Sequence, residues 1–177
     1  MRIVAGSLKG RVLADPKSYR THPMSEKIRG ALFNVLGELD GLTVLDAFTG
    51  SGAVAIEAVS RGAAHVMAID LDLDAYKCAA ANVTSLRLND KITVLRTNAK
   101  SWSNGHLDTL YDIVIADPPF DVVNDALLEK IARHTKKDGL FVISIPSDYV
   151  ARKNSNFIEL SKKEYGDATL IFYNRIA

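Results

Sequence analysis

The sequence is poor in cysteine and in long hydrophobic runs, and each shortage excludes a class of protein. Its 177 residues contain a single cysteine, Cys78, so an internal disulfide scaffold is excluded. The helical run DAYKCAAANV around Cys78 predicts a buried small side chain rather than a nucleophile. The best apolar runs, such as LFVISI at residues 140–145, fall far short of the roughly 18 residues that a membrane span needs.

Signatures of several enzyme and targeting classes are also absent. Neither a Gly-x-Ser-x-Gly elbow nor a Gly-Lys-Ser/Thr loop occurs, which excludes an α/β-hydrolase and a P-loop nucleotidase. The N-terminus, MRIVAGSLKGR, lacks an apolar signal segment and a cleavage site, so we expect a cytoplasmic protein. No cysteine or acid lies at metal-binding spacing from the histidines, and we expect no metal site. The histidines are His22, His65, His106 and His134.

The composition that remains is that of one packed domain, which we expect to span residues 1–177. Hydrophobic residues make up 47% and charged residues 24%, which excludes the disordered and collagen-like classes. The net charge of +1 predicts no partner by itself, but the two ends are basic and the middle is acidic. Basic ends suit a polyanion, because each cation that reaches a phosphate releases a counterion. The alternative is an ordinary solvated surface.

Alternating strand and helix patterns predict an α/β fold. RIVAG, SLKG and RVLA indicate a short β-hairpin in a basic extension over residues 1–23, and SEKIRGALFNVLGEL indicates an amphipathic helix capped by Ser25. Trp102 and Tyr111 flank a predicted loop, where we expect them to pack rather than bind a base. Further strands are predicted at 43–48, 65–70, 92–97, 111–117 and 140–145, and helices at 53–62, 73–87 and 125–135.

These units indicate a mostly parallel sheet covered by helices on both faces. The runs FIELSKKEYG and ATLIFYNR have no helix between them and predict an antiparallel C-terminal hairpin at the edge of the sheet.

The first predicted strand of this sheet leads directly into a glycine-containing loop, DAFTGSG, which opens a helix. Open α/β sheets bind ligands at this point, and Gly50 and Gly52 let a ligand approach the backbone. Asp70 ends the next strand, where an acid accepts hydrogen bonds from ribose hydroxyls. Both NAD and S-adenosylmethionine fit this pattern. Asp46 favours S-adenosylmethionine, because its carboxylate would repel the pyrophosphate of NAD but pair with the ammonium group of an amino acid. The alternative is that Asp46 is an ordinary loop acid or caps a helix.

The fourth strand ends in Asp117-Pro118-Pro119-Phe120. The prolines stop the strand, since they fix φ and supply no N–H. A carboxylate and a neighbouring carbonyl can then hold the two N–H donors of an exocyclic amine, and Phe120 offers an aromatic face for a planar base. The alternative is a proline-rich turn whose acid caps the next helix.

The glycine loop followed by DPPF resembles the class I S-adenosylmethionine-dependent methyltransferases that act on exocyclic amino groups. The resemblance extends over nearly the whole chain, through RIVAGSLKGRVL, THPMSEKIRGALFNVL, DAFTGSGAVAIEAVSRGA and KKEYGDATLIFY, to the bacterial 16S rRNA guanine-N2 methyltransferases of the RsmD type. It implies a Rossmann-like fold, and transfer of a methyl group from S-adenosylmethionine to a guanine N2 amine of 16S rRNA.

The resemblance also implies the roles of individual residues. The catalytic residues are Asp117, Pro118, Pro119 and Phe120. The cofactor-binding residues are Asp46, Phe48, Thr49, Gly50, Ser51, Gly52, Asp70, Leu71, Asn98 and Ala99. Among the expected RNA-binding residues, the resemblance implies Thr21 and Arg29, and the basic N-terminal arm supplies Lys9, Arg11, Arg20 and Lys27. The chain departs from the family pattern at four positions. Two of them are His22 and Met24, and the other two are Asn98 and Ser144, where members of the family commonly have an acid.

The expected partner is 16S rRNA within an assembling small subunit, and the expected state is a monomer. Two alternatives remain open: an amino-methyltransferase that acts on adenine N6 or protein glutamine, and a non-catalytic protein that binds the cofactor and RNA.

Overall fold

The computed structural model describes residues 1–17 and 24–177. Within these residues the helices are α1 (Glu26–Leu36), α2 (Ala53–Ser60), α3 (Leu73–Ser85), α4 (Ala99–Gly105) and α5 (Asp125–Ala132). The strands are β1 (Thr43–Asp46), β2 (His65–Asp70), β3 (Ile92–Arg96), β4 (Tyr111–Ala116), β5 (Thr135–Pro146), β6 (Phe157–Tyr165) and β7 (Ala168–Arg175). Among the described residues, no helix is both long and apolar enough to cross a lipid bilayer.

All seven strands belong to one sheet in the order β3-β2-β1-β4-β5-β7-β6. Strands β1 to β5 pair in parallel, whereas β7 pairs antiparallel with both β5 and β6. The β6–β7 turn passes through Gly166, whose φ of 63° lies in the left-handed region that glycine adopts without strain. The predicted parallel sheet with an antiparallel C-terminal hairpin is confirmed.

Side chains that alternate along the strands build two separate cores. Val44, Ile113 and Val142 face the layer formed by α1, α2 and α3, and Leu45 and Val114 face the layer formed by α4 and α5. Within the described part of the chain, three helices therefore cover one face of the sheet and two cover the other. Residues 147–156, which connect β5 to β6, form no helix.

Helix α4 lies where the sequence analysis expected a loop. Asn98 caps it by accepting hydrogen bonds from the backbone N–H groups of Lys100, at 2.9 Å, and Ser101, at 3.2 Å. Trp102 is buried and stacks on His106 with ring centroids 4.7 Å apart, as expected for a packing residue. The short run AKSWSNG contains too few apolar residues to show a helical period, so its cap was the signal that could have predicted it.

The N-terminal segment makes less β-structure than expected. The predicted hairpin is reduced to one isolated bridge between Arg2 and Val12. Buried Glu57 in α2 holds this segment by accepting hydrogen bonds from the backbone N–H groups of Val4, at 2.8 Å, and Ala5, at 2.9 Å. The carboxylate therefore anchors the segment together with the backbone hydrogen bonds that join residues 1–3 to residues 10–13, such as that from the N–H of Ile3 to the Arg11 carbonyl at 3.0 Å.

Two arginines compensate the buried charge of Glu57. Its carboxylate lies 3.4 Å from Nε of fully buried Arg29 and 3.0 Å from Nε of Arg61. Arg29 also donates to the backbone carbonyls of Met24, at 3.3 Å, and Arg2. This cluster joins the N-terminal segment, α1 and α2.

Replacing Glu57 with alanine should lower the free energy of unfolding by about 3–5 kcal/mol, because it leaves the Arg29 charge buried without a partner. The control is Lys136→Ala, which removes a 42%-exposed lysine that pairs with Asp112, and should cost no more than about 1 kcal/mol. Urea denaturation measures both variants. Equal losses would contradict a central role for the Glu57 cluster.

Candidate active site at the carboxyl edge of the sheet

Three carboxylates meet where β1, β2 and β4 end. Asp46 at the end of β1 is in register with Ala68 of β2 and Ile115 of β4. Asp70 and Asp117 each lie two residues beyond these partners. Because side chains alternate along a strand, all three acids project from the same face of the sheet. The parallel pairing therefore concentrates negative charge at one edge.

Asp46 is the most buried of the three acids, with 1% of its surface exposed. Its Oδ2 accepts a hydrogen bond from the Thr49 hydroxyl at 2.7 Å, while its buried Oδ1 has no partner among the described residues. The pKa of Asp46 is raised to about 7, chiefly by burial and also by the nearby charges of Asp117 and Asp70, against the lowering effect of the Thr49 hydrogen bond. A cationic donor at Oδ1 would satisfy this atom and offset its charge.

The glycine loop is fixed by backbone hydrogen bonds. The N–H of Thr49 donates to the Ile69 carbonyl at 2.8 Å, and the N–H of Gly50 donates to Oδ2 of Asp70 at 2.8 Å. Gly52 has a φ of 82°, and a Cβ there would lie 3.3 Å from the Cβ of Ala79. Both its conformation and its surroundings therefore favour glycine.

Asp70 connects the glycine loop to the segment after β2. Its Oδ1 accepts from the N–H of Asp72 at 2.9 Å, while its Oδ2 holds Gly50. Burial raises the pKa of Asp70, and these backbone hydrogen bonds oppose the rise. Each carboxylate oxygen keeps a second lone pair, so the group can still accept from ribose hydroxyls.

The remaining predicted cofactor residues surround this loop. Leu71 is 58% exposed beside Asp70, whereas Ser51 is buried and Phe48 is half-buried. Asn98 is exposed after β3 and Ala99 is buried behind it. Since Oδ1 of Asn98 caps α4, its amide NH₂ is the group left to face a ligand.

The DPPF segment follows β4 beside β5. Ala116 is in register with Ile143, which places Asp117 next to Ser144. Burial raises the pKa of Asp117 to about 6, against the lowering effect of the nearby Ser144 hydroxyl. Pro118 is buried, whereas Pro119 and Phe120 are exposed. The Pro119 carbonyl accepts from the N–H of Val122 at 3.0 Å, so it is engaged in a turn.

The predicted RNA-binding residues separate into three groups. Lys9, Arg11 and Lys27 are exposed. Arg20 and Thr21 lie outside the described residues. The prediction of a direct RNA contact is wrong for Arg29, because its guanidinium is buried against Glu57 and cannot reach a phosphate.

Sequence reasoning missed Asn82, a buried α3 residue that holds the glycine loop. Its side-chain NH₂ donates to the carbonyls of Ser51, at 2.9 Å, and Ala14, at 3.0 Å, and its Oδ1 accepts from the N–H of Ala14 at 3.0 Å. The sequence does show a polar amide within the apolar run CAAANV, and this pattern could have indicated a buried asparagine that forms hydrogen bonds. Asn82 therefore ties the N-terminal segment to the loop.

The chain resembles known proteins over most of its length. A family model described as "Conserved hypothetical protein 95" matches residues 1–174. The chain is 30% identical over 182 residues to the "Putative rRNA methyltransferase YlbH" of Bacillus subtilis, covering 99% of each chain. It is 35% identical over 121 residues to the Escherichia coli "Ribosomal RNA small subunit methyltransferase D", a match that covers 68% of this chain and 60% of that protein.

A solved structure shares the fold over its whole length. The "Putative methyltransferase yhhF from Escherichia coli" has a TM-score of 0.87 and 25% identity, and the match covers 100% of this chain and 98% of that chain. This likeness confirms the predicted Rossmann-like methyltransferase fold. From the family model, the full-length relative and the shared fold, we conclude that the chain belongs to the RsmD-type methyltransferase family.

Proposed function

We propose that this protein transfers a methyl group from S-adenosylmethionine to the N2 amine of a guanine in 16S rRNA of the small ribosomal subunit. The observation that carries the proposal is the buried, unpartnered Oδ1 of Asp46 beside Asp117 of the DPPF segment. The small subunit rRNA methyltransferase among the relatives supports the choice of RNA. Action as a monomer, as one domain and in the cytoplasm belongs to the same proposal.

The carboxyl edge fits S-adenosylmethionine better than NAD. Asp46 would accept from the ammonium of the methionine moiety, and Asp70 would accept from the ribose hydroxyls. Leu71, Asn98 and Ala99 would contact the adenine. The pyrophosphate of NAD would instead meet three carboxylates, which disfavours it. When bound, the cofactor supplies an electrophilic methyl group on a positively charged sulfur.

The DPPF segment would orient the amine that receives the methyl group. The Asp117 carboxylate and the Pro118 carbonyl accept its two N–H donors, since the Pro119 carbonyl is held by Val122. Phe120, which is 42% exposed, stacks on the base. Positioning then directs the nitrogen lone pair at the methyl group. With a pKa of about 6, Asp117 is ionised at neutral pH and can take the proton that the nitrogen releases.

The RNA would approach over the basic extension. Exposed Lys9 and Arg11 of the extension and exposed Lys27 of α1 supply cations for its phosphates. A target guanine within a helix must leave the stack to reach Phe120, at a cost of a few kcal/mol. The same pair of acceptors would also fit the N6 amine of adenine, so the substrate has to be identified by the base that becomes methylated.

Labelled S-adenosylmethionine should transfer its methyl group to small subunits or their rRNA, with the label recovered as N2-methylguanosine. Asp117→Asn should lower kcat by about 10²–10⁴-fold, because the neutral amide keeps an acceptor oxygen but loses the negative charge and cannot take the proton of the amine. Its affinity for S-adenosylhomocysteine should change little. Asp121→Asn is the control, since that acid is exposed four residues further on.

Parallel reactions offer DNA and protein in place of rRNA. Label found on adenine, on DNA or on protein would refute the proposed substrate. Full activity of Asp117→Asn would show that the negative charge of Asp117 and its uptake of a proton are not part of the mechanism.

Binding of S-adenosylhomocysteine, which keeps the ammonium group, should weaken as the pH falls from 8 to 6. The ammonium pairs with ionised Asp46, and the raised pKa of about 7 means that this carboxyl becomes protonated within that interval. Below the pKa the affinity should fall by up to about tenfold per pH unit. In Asp46→Asn, this dependence should be lost, because position 46 no longer carries a group that titrates in the interval.

Isothermal titration calorimetry measures these affinities. An Asp46→Asn variant whose affinity varies with pH as steeply as that of the wild type would show that Asp46 does not face the ammonium.

A further inference from the structure

A cavity of about 660 Å³ lies outside the site described above, between α5, residues 147–156 and the strands β5, β7 and β6. It occurs on the face of the sheet that α4 and α5 cover. The connection from β5 to the parallel strand β6 crosses this face without forming a helix, so the apolar surface beneath it is incompletely covered.

Aromatic rings form much of the cavity wall. The Phe157 ring centroid lies 5.8 Å from that of Phe141 and 6.5 Å from that of Tyr173, which it meets edge-on. Phe141 is buried, whereas Phe157 and Tyr173 are half-buried and present part of their surface to the cavity. Rings in this state can stack on a planar ligand.

The charged groups at the cavity divide into compensated and uncompensated ones. Arg152 lies 3.7 Å from both Asp125 and Glu129, and Asp125 also accepts from the Tyr149 hydroxyl at 2.8 Å. Lys153 and Lys162 also line the cavity, and neither lies within 4 Å of an acid among the described residues. Two ammonium groups therefore remain available to an anion.

One further acid, Glu159, lines the cavity. It is paired in register with Tyr173 and raises the pKa of that hydroxyl, after the larger effect of burial. Its carboxylate can accept from the N–H edge of a ligand, while the two lysines attract an anionic part. A planar ring with N–H donors and an attached phosphate has both features.

The cavity is close along the chain to the proposed catalytic segment. Helix α5 begins at Asp125, five residues after Phe120, and five extended residues span at most about 18 Å. The 147–156 connection also starts beside the same edge, because β4 and β5 are parallel. An RNA strand that places one base on Phe120 could therefore reach the cavity within a few nucleotides.

We propose that this cavity binds an unpaired nucleobase of the substrate RNA near the target nucleotide, stacked on Phe157 and Tyr173 with phosphate on Lys162 and Lys153. This proposal rests on the RNA substrate of the proposed function. An apolar protein segment would also fill the space, but it would leave the two lysine charges unused. Aromatic rings beside uncompensated cations are the combination that single-stranded RNA binding uses.

Adjacent lysines of β6 provide a matched test. Lys162 is paired with Ile171 and lines the cavity, whereas Lys163 is paired with Leu170 and projects from the opposite face. Each alanine substitution removes one charge. Lys162→Ala should raise the KM for small subunit rRNA several-fold and lower the slope of log affinity against log salt by about 1, while Lys163→Ala leaves both unchanged.

A second variant tests the aromatic wall. Phe157→Leu keeps an apolar side chain but loses the stacking face, and should raise the KM for rRNA about tenfold. Neither variant should change kcat or the affinity for S-adenosylhomocysteine. Lys162 is exposed, so its variant remains informative if Phe157→Leu proves unstable.

The outcomes separate this proposal from the proposed function. Methylation of rRNA by the wild type, with equal KM for Lys162→Ala and Lys163→Ala, would overturn the cavity proposal alone. Absence of methyl transfer to rRNA by the wild type would overturn both.

Discussion

The parallel pairing of β1 with β2 and β4 is the constraint on which the site depends. It places Asp46, Asp70 and Asp117 on one face of one edge, where burial disfavours the charged form of each acid and the other two charges add to this effect at Asp46. An apolar residue at position 46 would avoid this cost. A ligand that brings positive charge to the edge offsets the cost of ionising these acids. The same burial that opposes ionisation in the free protein therefore strengthens the binding of a cation.

Packing on the far side of the glycine loop keeps this arrangement rigid. Glu57 fixes the N-terminal segment and α1 through Arg29, and Asn82 ties residue 14 to the carbonyl of Ser51. Buried polar groups with their partners present specify a geometry that apolar contacts alone would leave looser. The glycine loop is therefore supported by hydrogen bonds from segments far apart in the sequence.

The sequence allowed the edge of the sheet to be predicted, because parallel strands bring their carboxyl ends together whatever the details of packing. Asp46, Asp70 and the DPPF segment could therefore be placed before the structure was known. Arg29 could not, since its partner Glu57 is 28 residues away and nothing local distinguishes a buried arginine from an exposed one. The cavity beside α5 could not be predicted from the sequence either, because it depends on a connection that crosses the sheet without forming a helix.

The proposed function requires that Asp46 faces a bound ammonium while Asp117 faces the reacting amine. A crystal structure with S-adenosylhomocysteine would show both positions at once. We expect the ligand ammonium within hydrogen-bonding distance of Oδ1 of Asp46, the ribose on Asp70, and the sulfur turned toward Asp117 and Phe120. A ligand bound in the cavity beside Phe157, or with its ammonium directed away from Asp46, would contradict the proposed function.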